Sequence, residues 1–504
     1  MRPRLLGAIV AALLLAAAWY LPRLRRDLRD AVVTYDARPS DPAPLPPATG
    51  PGLAAVARTR VVLIDGLSES VARTLPALMS ACDRGQRLRM DVGFPSVSLP
   101  VEVALWSGLT QQQTGVVTNR PRAYSPAWHG IPAQVPGSIA IAEDHGFIVR
   151  ALGFAIAEPV AGETALADAE PEAWQARWEA RARAAIAGPA RLAFVHVLRV
   201  DTAGHHHGAL SAEYADAART ADTLLATLLA AAPDARWFLL SDHGHVAAGG
   251  HGGEERAVRQ TLACIVGPGP GRTRAPAAAA TAPEPLVHAV DIARAIADST
   301  GTTLDGAARG RPLAAALAVP LEGDQAIPRL PIVDGGLAVV LLAVGLALTA
   351  WCLARLWLAP VWFALACVAL VLVRGEPTLS MRFVYQSSGA LAAVTWIPAL
   401  VLCAAITYAG LGRTTLLRVV VTQLALPVAA TAAALAAAGA WPTVLGAHVA
   451  PVVPRYTAFA LTLLLMTAHA AAAVALGVLG RRVLRSSDRS APPGPPRSAP
   501  STAR

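Results

Sequence analysis

Three short apolar runs, each leading to an aspartate, constrain the fold of this 504-residue chain more than any other feature. The runs are VVLI, RLAFVHVLRV and RWFLLS, and the acids that follow them are Asp65, Asp201 and Asp242. Short runs rich in β-branched and aromatic residues are typical of buried parallel strands. In open α/β sheets, ligands bind beyond the carboxyl ends of the strands. The sequence therefore predicts a parallel sheet with three carboxylates along one edge.

Histidine and serine motifs accompany these aspartates. The segment 200–208 (VDTAGHHHG) contains His205, and the segment 241–253 (SDHGHVAAGGHGG) contains His243 and His251. The segment 94–100 (FPSVSLP) contains Ser98, a hydroxyl that could attack phosphorus. A single aspartate after a strand is usually a turn former or a helix cap. Three aspartates, three histidines and a serine in this order instead predict a site for two divalent metals, because carboxylate and imidazole suit zinc and also accept manganese.

The four motifs resemble the alkaline phosphatase superfamily, and within it the type I phosphodiesterase and nucleotide pyrophosphatase branch. The nearest resemblance is to the membrane ethanolamine-phosphate transferases that modify glycosylphosphatidylinositol anchors, whose motifs match segments 200–205, 241–244, 249–252 and, more loosely, 95–105. The resemblance spans roughly residues 60–320. It implies an alkaline-phosphatase-like α/β/α sandwich, which agrees with the alternation of predicted strands and helices in this region.

The resemblance also implies a role for each motif residue. One metal would be held by Asp201, His205 and His251. The other would be held by Asp65, Asp242, His243 and the hydroxyl oxygen of Ser98. Ser98 would be the catalytic nucleophile and would form a phosphoserine intermediate, while Ser96 on the same loop is the alternative. The implied cofactors are two divalent ions, zinc or alternatively manganese.

Two positions depart from related families. Nucleotide diesterases carry an asparagine after the proline of the nucleophile motif, whereas this chain has Val101. Sulfatases need an arginine where this chain has Glu102. Glu102 could face a cationic head group such as ethanolamine, or it could complement the dipole of a helix predicted from about residue 101 to 109. Val101 therefore argues against a nucleotide diester as the substrate, and Glu102 argues against a sulfate ester.

Composition predicts that the chain is an integral membrane protein. Apolar residues make up 54% of it, and its mean hydropathy is +0.45. Residues 1–22 are either a signal peptide or a signal anchor, and 23–59 form a linker. Residues 331–480 are predicted to form a transmembrane bundle of about five helices, followed by a disordered basic tail at 481–504. The five apolar runs lie at 333–353, 358–373, 390–410, 416–439 and 457–479.

Charge and cysteine content complete the prediction. All basic residues are arginines, and their bias towards alternate inter-span segments places the catalytic domain on the extracytoplasmic side. The net charge of +9 therefore marks a membrane protein, and no nucleic-acid-binding module is present in the sequence. The five cysteines do not indicate a disulfide framework; Cys82 falls in a predicted helix and Cys264 in a predicted strand.

We therefore expect a membrane-anchored, metal-dependent phosphotransferase or phosphodiesterase whose partner is a phospholipid or another phosphodiester. A phosphoethanolamine head group is the expected substrate, and the metal ligands do not distinguish transfer to water from transfer to a hydroxyl. One alternative is a metal-dependent phosphatase or nucleotide pyrophosphatase. Another is a catalytically inactive domain on a lipid-handling membrane protein, because fold resemblance alone does not prove activity.

Overall fold

A computed structural model describes most of the region from residue 50 to 321 and parts of the apolar segments. The described residues are 3–33, 50–116, 119, 130–144, 146–158, 171–247, 249–253, 255–268, 284–321, 404–405, 407–408, 415–437, 463–464, 467–468 and 470–481. Residues 34–49 of the predicted linker, and almost all of the basic tail, therefore lie outside the described residues.

An eight-stranded mixed sheet forms the centre of the domain, in the order β4-β3-β5-β1-β6-β7-β2-β8. The strands are β1 (Thr59–Ile64), β2 (Gln86–Asp91), β3 (Ile139–Ala142), β4 (Ile156–Glu158), β5 (Leu192–Val197), β6 (Arg236–Leu240), β7 (Gln260–Val266) and β8 (Leu286–His288). β1 runs parallel to both β5 and β6, whereas β7 runs antiparallel to its two neighbours. All six residues of β1 are buried, as expected for a central strand covered on both faces.

Helices cover both faces of the sheet. They are α2 (Glu69–Ala72), α3 (Pro76–Asp83), α4 (Ser98–Ser107), α5 (Gln111–Thr114), α6 (Gly146–Ala151), α7 (Pro171–Ala187), α8 (Arg199–His207), α9 (Ala212–Ala231), α10 (Arg256–Arg259), α11 (Ala289–Thr300) and α12 (Leu313–Ala318), after an N-terminal α1 (Pro3–Val33). α4 and α11 pack into one apolar core with Trp106 and Phe194, and α3, α7 and α9 pack into another with Trp178. The predicted α/β sandwich is confirmed.

Two local predictions are wrong. The short apolar run FIVRAL at 147–152 predicts a strand from sequence, but these residues lie mainly in helix α6, and the strand of this unit is the preceding β3. The core buries Ile148, Val149 and Leu152, as it would if they formed a strand. The short apolar run therefore did not distinguish a helix from a strand. Asp201 also does not end a strand, because β5 stops at Val197 and Asp201 lies in the first turn of α8.

A disulfide joins Cys82 of α3 to Cys264 of β7, which corrects the expectation of no disulfide. The two cysteines are 182 residues apart in sequence, and their Cα atoms are 5.3 Å apart. Sequence spacing did not reveal the pair, because α3 and β7 meet only through the tertiary packing of the sheet face. Disulfides are typical of proteins folded in oxidising compartments.

Two described helices are long and apolar enough to cross a membrane, judged by length and composition. They are Leu5–Leu24 within α1 and Leu416–Ala436 within α13 (Leu416–Ala437). A shorter apolar helix, α14, covers Ala470–Arg481. Of the five predicted spans, the one near 416–439 corresponds to α13, and the others lie wholly or partly outside the described residues. The five-helix bundle therefore stays a prediction.

Candidate metal centre

The carboxyl ends of the central strands bring the predicted aspartates to one edge of the sheet. Asp65 directly follows β1, and its backbone N–H donates to the Val197 carbonyl at 2.9 Å, which continues the pairing of β1 with β5. Asp242 lies two residues beyond β6, the other neighbour of β1. Asp201 enters from the start of α8. This edge is where α/β sheets bind ligands, so the predicted convergence is observed.

One group of side chains, which we call the buried cluster, consists of Asp65, Asp242 and His243. Their potential ligand atoms lie within 4.8 Å of one another. His243 Nε2 is 3.3 Å from Asp65 Oδ1 and 3.4 Å from Asp242 Oδ2, and all three side chains are 0% exposed. Ser98 Oγ lies 3.3 Å from the same Nε2. The four residues predicted for one metal are therefore adjacent.

A second group, the outer cluster, consists of Asp201, His205 and His251. His205 Nε2 lies 3.4 Å from Asp201 Oδ2, and His251 Nε2 lies 3.7 Å from Asp201 Oδ1. The Nε2 atoms of the two histidines are only 3.0 Å apart. The His205 side chain is 30% exposed, so this cluster opens towards solvent. The three residues predicted for the other metal are also adjacent.

Backbone contacts determine which ring nitrogen faces each cluster. His243 Nδ1 is 3.2 Å from the Gly244 carbonyl, and His251 Nδ1 is 2.9 Å from the Ser96 carbonyl. A carbonyl only accepts hydrogen bonds, so Nδ1 carries the proton in both neutral rings. Their Nε2 lone pairs therefore point into the clusters, which is the arrangement that metal-binding histidines use.

The buried carboxylates fit a cation. Burial, followed by the negative charges of Asp242 and Asp201, raises the pKa of Asp65 well above its usual range. Burial also raises the pKa of Asp242 to about 6. Both carboxylate oxygens of Asp65 and Oδ2 of Asp242 are buried without an aligned hydrogen bond. Burying such oxygens unpaired is costly, so the cluster has the donors and the unmet charge that a divalent ion would satisfy.

The outer carboxylate has the opposite electrostatics. Burial acts to raise the pKa of Asp201, but the positive charge of His205 and a hydrogen bond from His245 outweigh it and hold this pKa well below its usual range. Burial lowers the pKa of His251 well below its usual value, and that of His243 to about 3. Both rings are therefore neutral near pH 7 and able to bind metal.

The nucleophile loop places Ser98 at the first residue of α4, where the positive end of the helix dipole favours an anion. Asn119, which the sequence analysis missed, lies beside it. Its Nδ2 is 3.4 Å from Ser98 Oγ, and its Oδ1 accepts the Leu99 N–H at 2.8 Å. An amide side chain thus reaches the nucleophile from a remote segment, although Val101 stands where nucleotide diesterases carry theirs.

Ser96, the alternative nucleophile, is committed to other contacts. Its Oγ donates to the Gly253 carbonyl at 2.8 Å and accepts the Gly252 N–H at 3.1 Å, and the side chain is fully buried. Its own carbonyl receives the His251 Nδ1 proton. Ser96 therefore ties the loop of His251 to the nucleophile loop.

Glu102 faces neither a substrate nor solvent. It is 0% exposed, and its Oε1 lies 3.0 Å from His196 Nε2, which is also 3.2 Å from Asp65 Oδ2. Burial acts to lower the pKa of His196, but the charge of Glu102 and the contact with Asp65 raise it well above its usual value. Both sequence interpretations of Glu102 are therefore wrong: it belongs to a buried acid–imidazole group behind the buried cluster.

A family model described as type I phosphodiesterase / nucleotide pyrophosphatase matches residues 155–262. The match includes Asp201, His205, Asp242, His243 and His251, but it begins after Asp65 and Ser98. No curated protein sequence matches the chain significantly.

Several solved structures are similar over part of the chain. BT1596, a 2-O GAG sulfatase, is 16% identical, with 55% of this chain and 77% of that chain covered and a TM-score of 0.37. Murine ectonucleotide pyrophosphatase / phosphodiesterase 5 in complex with AMP is 17% identical, with coverages of 38% and 57% and a TM-score of 0.30. The C-terminal periplasmic domain of EptC from Escherichia coli is 15% identical, with coverages of 52% and 88% and a TM-score of 0.33.

The family match falls on the segment that contributes α8 and the Ser241–Gly244 motif, where the resemblance was seen in the sequence. The match also agrees with the mixed α/β core, in which carboxylates and imidazoles lie together at the carboxyl ends of the central strands. The family match therefore agrees, over residues 155–262, with the resemblance to the type I phosphodiesterase / nucleotide pyrophosphatase family and supports an enzyme that acts on phosphoesters.

Proposed function

We propose that the domain formed by residues 60–320 is a two-metal phosphotransferase or phosphodiesterase that acts on a phosphodiester through a phosphoserine at Ser98. The observation that carries the proposal is the position of Ser98 Oγ, at the N-terminus of α4 and 3.3 Å from His243 Nε2 of the buried cluster. The buried cluster with Ser98 would hold one divalent ion, and the outer cluster would hold the other. Bound ions would supply positive charge that lowers the pKa of the serine hydroxyl and offsets the charge of the phosphate.

The side chains of the site define two steps. In the first, Ser98 Oγ loses its proton to solvent and attacks phosphorus, the new Oγ–P bond forms, and the bond to the leaving oxygen breaks as that oxygen takes up a proton. In the second, the oxygen of water or of an acceptor hydroxyl loses a proton and attacks the phosphoserine, the Oγ–P bond breaks, and Ser98 Oγ is reprotonated. The positive end of the α4 dipole and the Asn119 Nδ2 group are placed to stabilise the phosphate oxygens in both steps.

A lipid head group such as phosphoethanolamine is the proposed substrate. Two apolar helices of membrane-spanning length support attachment to a membrane, where such a lipid is supplied. The disulfide between Cys82 and Cys264 supports an extracytoplasmic domain. Ala11 of α1 packs against Val474 and Val478 of α14, which supports retention of the N-terminal helix as a signal anchor.

A hydrolase of nucleotide or other soluble phosphoesters is the second candidate, and the Asn119 amide beside Ser98 favours it. This amide restores to the site a donor whose loss at Val101 argued against nucleotide substrates. An inactive domain on a lipid-handling protein is the third candidate, but the intact set of potential ligands argues against it.

One experiment separates the three. The full-length protein is incorporated into vesicles containing phosphatidylethanolamine labelled in its head group, with zinc or manganese supplied. We expect diacylglycerol, label on an acceptor or in water, and an acid-stable phosphoethanolamine group on Ser98. Cleavage of a nucleotide diester with intact lipid would favour the soluble-substrate hydrolase. Bound metal without turnover of either substrate would favour the inactive domain.

Sidedness has its own test. A protease added outside intact spheroplasts is expected to cut within residues 30–320 and to spare the segment beyond Arg481. Protection of the domain would place the site on the cytosolic side and would remove the support for an extracytoplasmic lipid substrate.

A further inference from the structure

His245 lies between the two clusters and belongs to neither of the predicted ligand sets. Its side chain is 0% exposed, and its Nε2 is 2.9 Å from Asp201 Oδ1. We propose that His245 is a positioning residue that fixes the Asp201 carboxylate for the outer metal, an inference that rests on the proposed two-metal function and deepens it.

The hydrogen bonds of the ring set His245 apart from His243 and His251. Its Nδ1 lies 3.0 Å from the backbone nitrogen of Gly250, and a backbone N–H can only donate. Nδ1 is therefore an acceptor, and the proton of the neutral ring lies on Nε2. His243 and His251, which are proposed as ligands, have the opposite tautomer, because their Nδ1 atoms face carbonyls. His245 thus presents a donor to Asp201, whereas His243 and His251 present lone pairs.

Backbone geometry holds the ring in this position. The His245 N–H donates to Ser68 Oγ at 3.1 Å. A Cβ at Gly204 would lie 2.5 Å from His245 Nε2, and a Cβ at Gly66 would lie 2.9 Å from the same atom. Both glycines are therefore needed for the ring to reach Asp201, and Gly66 also has a left-handed φ of 72°. The pocket for this imidazole is built into two separate segments.

As a consequence, the two carboxylate oxygens of Asp201 have different partners. Oδ1 accepts the His245 proton, whereas Oδ2 faces His205 at 3.4 Å. Orientation of a ligand by a neighbouring hydrogen bond typically changes metal affinity by about 10- to 100-fold. The same Nδ1 contact anchors Gly250, one residue before His251, so His245 orients two ligands of the outer cluster at once.

Two substitutions separate these contacts. His245→Asn places an amide oxygen near the original Nδ1, so it can keep the Gly250 bond but cannot reach Asp201. His245→Gln places an amide N–H near the original Nε2, so it can keep the bond to Asp201. We titrate zinc, and separately cobalt, into the metal-free full-length protein without substrate, and record stoichiometry, affinity and the cobalt absorption spectrum.

We expect the unsubstituted protein to bind two ions. His245→Asn should weaken one ion by about 10- to 100-fold and leave the other unchanged, whereas His245→Gln should retain most of the affinity and the cobalt spectrum. Equal losses in both variants would overturn the positioning role, and so would a stoichiometry of one ion in His245→Gln, because that would make His245 a ligand. Binding of fewer than two ions by the unsubstituted protein would instead overturn the proposed two-metal function.

Discussion

The buried and outer clusters use the same residue types but are supported in different ways. Asp65 and Asp242 follow neighbouring parallel strands, and the side chains of the buried cluster are completely shielded. The outer cluster takes Asp201 and His205 from adjacent turns of α8 and His251 from a loop. Strand ends fix the first cluster, whereas a short helix and a loop carry the second.

The glycines of the loop show the same contrast. Gly249, Gly250 and Gly252 have φ values of 89°, 99° and 97°, a region that side chains rarely adopt. This loop brings His251 to the site, and the ring stacks on His243 at a centroid distance of 3.7 Å. The fully shielded buried cluster suits the ion beside Ser98, and the more open outer cluster suits the ion that contacts the leaving and acceptor oxygens.

The largest effect is expected in the buried cluster. Asp242→Ala or His243→Ala should remove one ion and reduce turnover by about 10⁴-fold, because metal-supplied charge is worth several kcal/mol and no water can replace a fully shielded ligand. Metal content and turnover are measured together. Full activity in either variant would refute the assignment of this cluster to a metal.

A stability measurement controls for misfolding in that experiment. The charge of Asp242 contributes to the raised pKa of Asp65, so the two carboxylates oppose each other in the metal-free protein. We expect metal-free Asp242→Asn to unfold at an equal or higher temperature than the unsubstituted protein. A clearly lower unfolding temperature would mean that Asp242 serves mainly to stabilise the fold.

The next largest effect concerns the nucleophile. Ser98→Ala should abolish the phosphoenzyme and reduce turnover on the order of 10³-fold while both ions stay bound, since water activated by the ions could still react slowly. Ser96→Ala is the matched control, because it removes the loop contacts of Ser96 and leaves Ser98 in place. The acid-stable phosphoethanolamine group is measured by mass spectrometry. The same group on residue 96 in the Ser98→Ala protein would move the nucleophile to Ser96.

The sequence predicted the sandwich and the seven proposed site residues because each lies next to a strong local signal. Asp65 and Asp242 follow apolar strands, and His205 and His251 sit in glycine-rich motifs. The local pattern did not distinguish helix from strand at 147–152, because a short apolar run around Val149 can be buried in either conformation. Periodicity over six residues was too short to decide.

The missed contacts depend on tertiary packing. Asn119 reaches Ser98 from 21 residues away, and Glu102 of α4 contacts His196 of β5. His245 could have been suspected from its place two residues after His243, but its role depends on the Gly250 N–H. That hydrogen bond, and the disulfide between Cys82 and Cys264, exist only once the loops and helices are packed.

A smaller effect is expected in the outer cluster. His205→Ala should weaken the outer ion by about 100-fold, since zinc sites bind with about 10–16 kcal/mol shared among their ligands and water can enter beside a side chain that is 30% exposed. Excess metal should restore much of the turnover. His206→Ala, which changes the adjacent exposed histidine, is the matched control. If excess metal did not restore turnover, water would not replace the His205 ligand, and the outer cluster would tolerate the loss of a ligand no better than the buried cluster.

The smallest effect is a difference in pH dependence between the clusters. Burial raises the pKa of Asp242 to about 6 in the metal-free protein, so below pH 6 this carboxylate carries a proton that an incoming ion must displace. Affinity at the buried cluster should then fall by about tenfold per pH unit for each displaced proton. The pKa values of Asp201 and His251 are lowered, so His205, whose positive charge holds the pKa of Asp201 down, is the outer ligand with a proton to displace.

Cobalt titration of the Ser98→Ala protein at pH 7, 6 and 5 measures this difference without turnover. We expect both binding steps to weaken as the pH falls and to release protons, which calorimetry in two buffers of different ionisation enthalpy detects. His205→Ala in the same background weakens only the outer ion and removes the proton that His205 carries, so the step that stays pH-sensitive should be the buried one. If the pH-sensitive step were the one weakened by His205→Ala, proton competition would lie in the outer cluster, and the distinction between a dry, strand-held ion and an open, loop-held ion would be reversed.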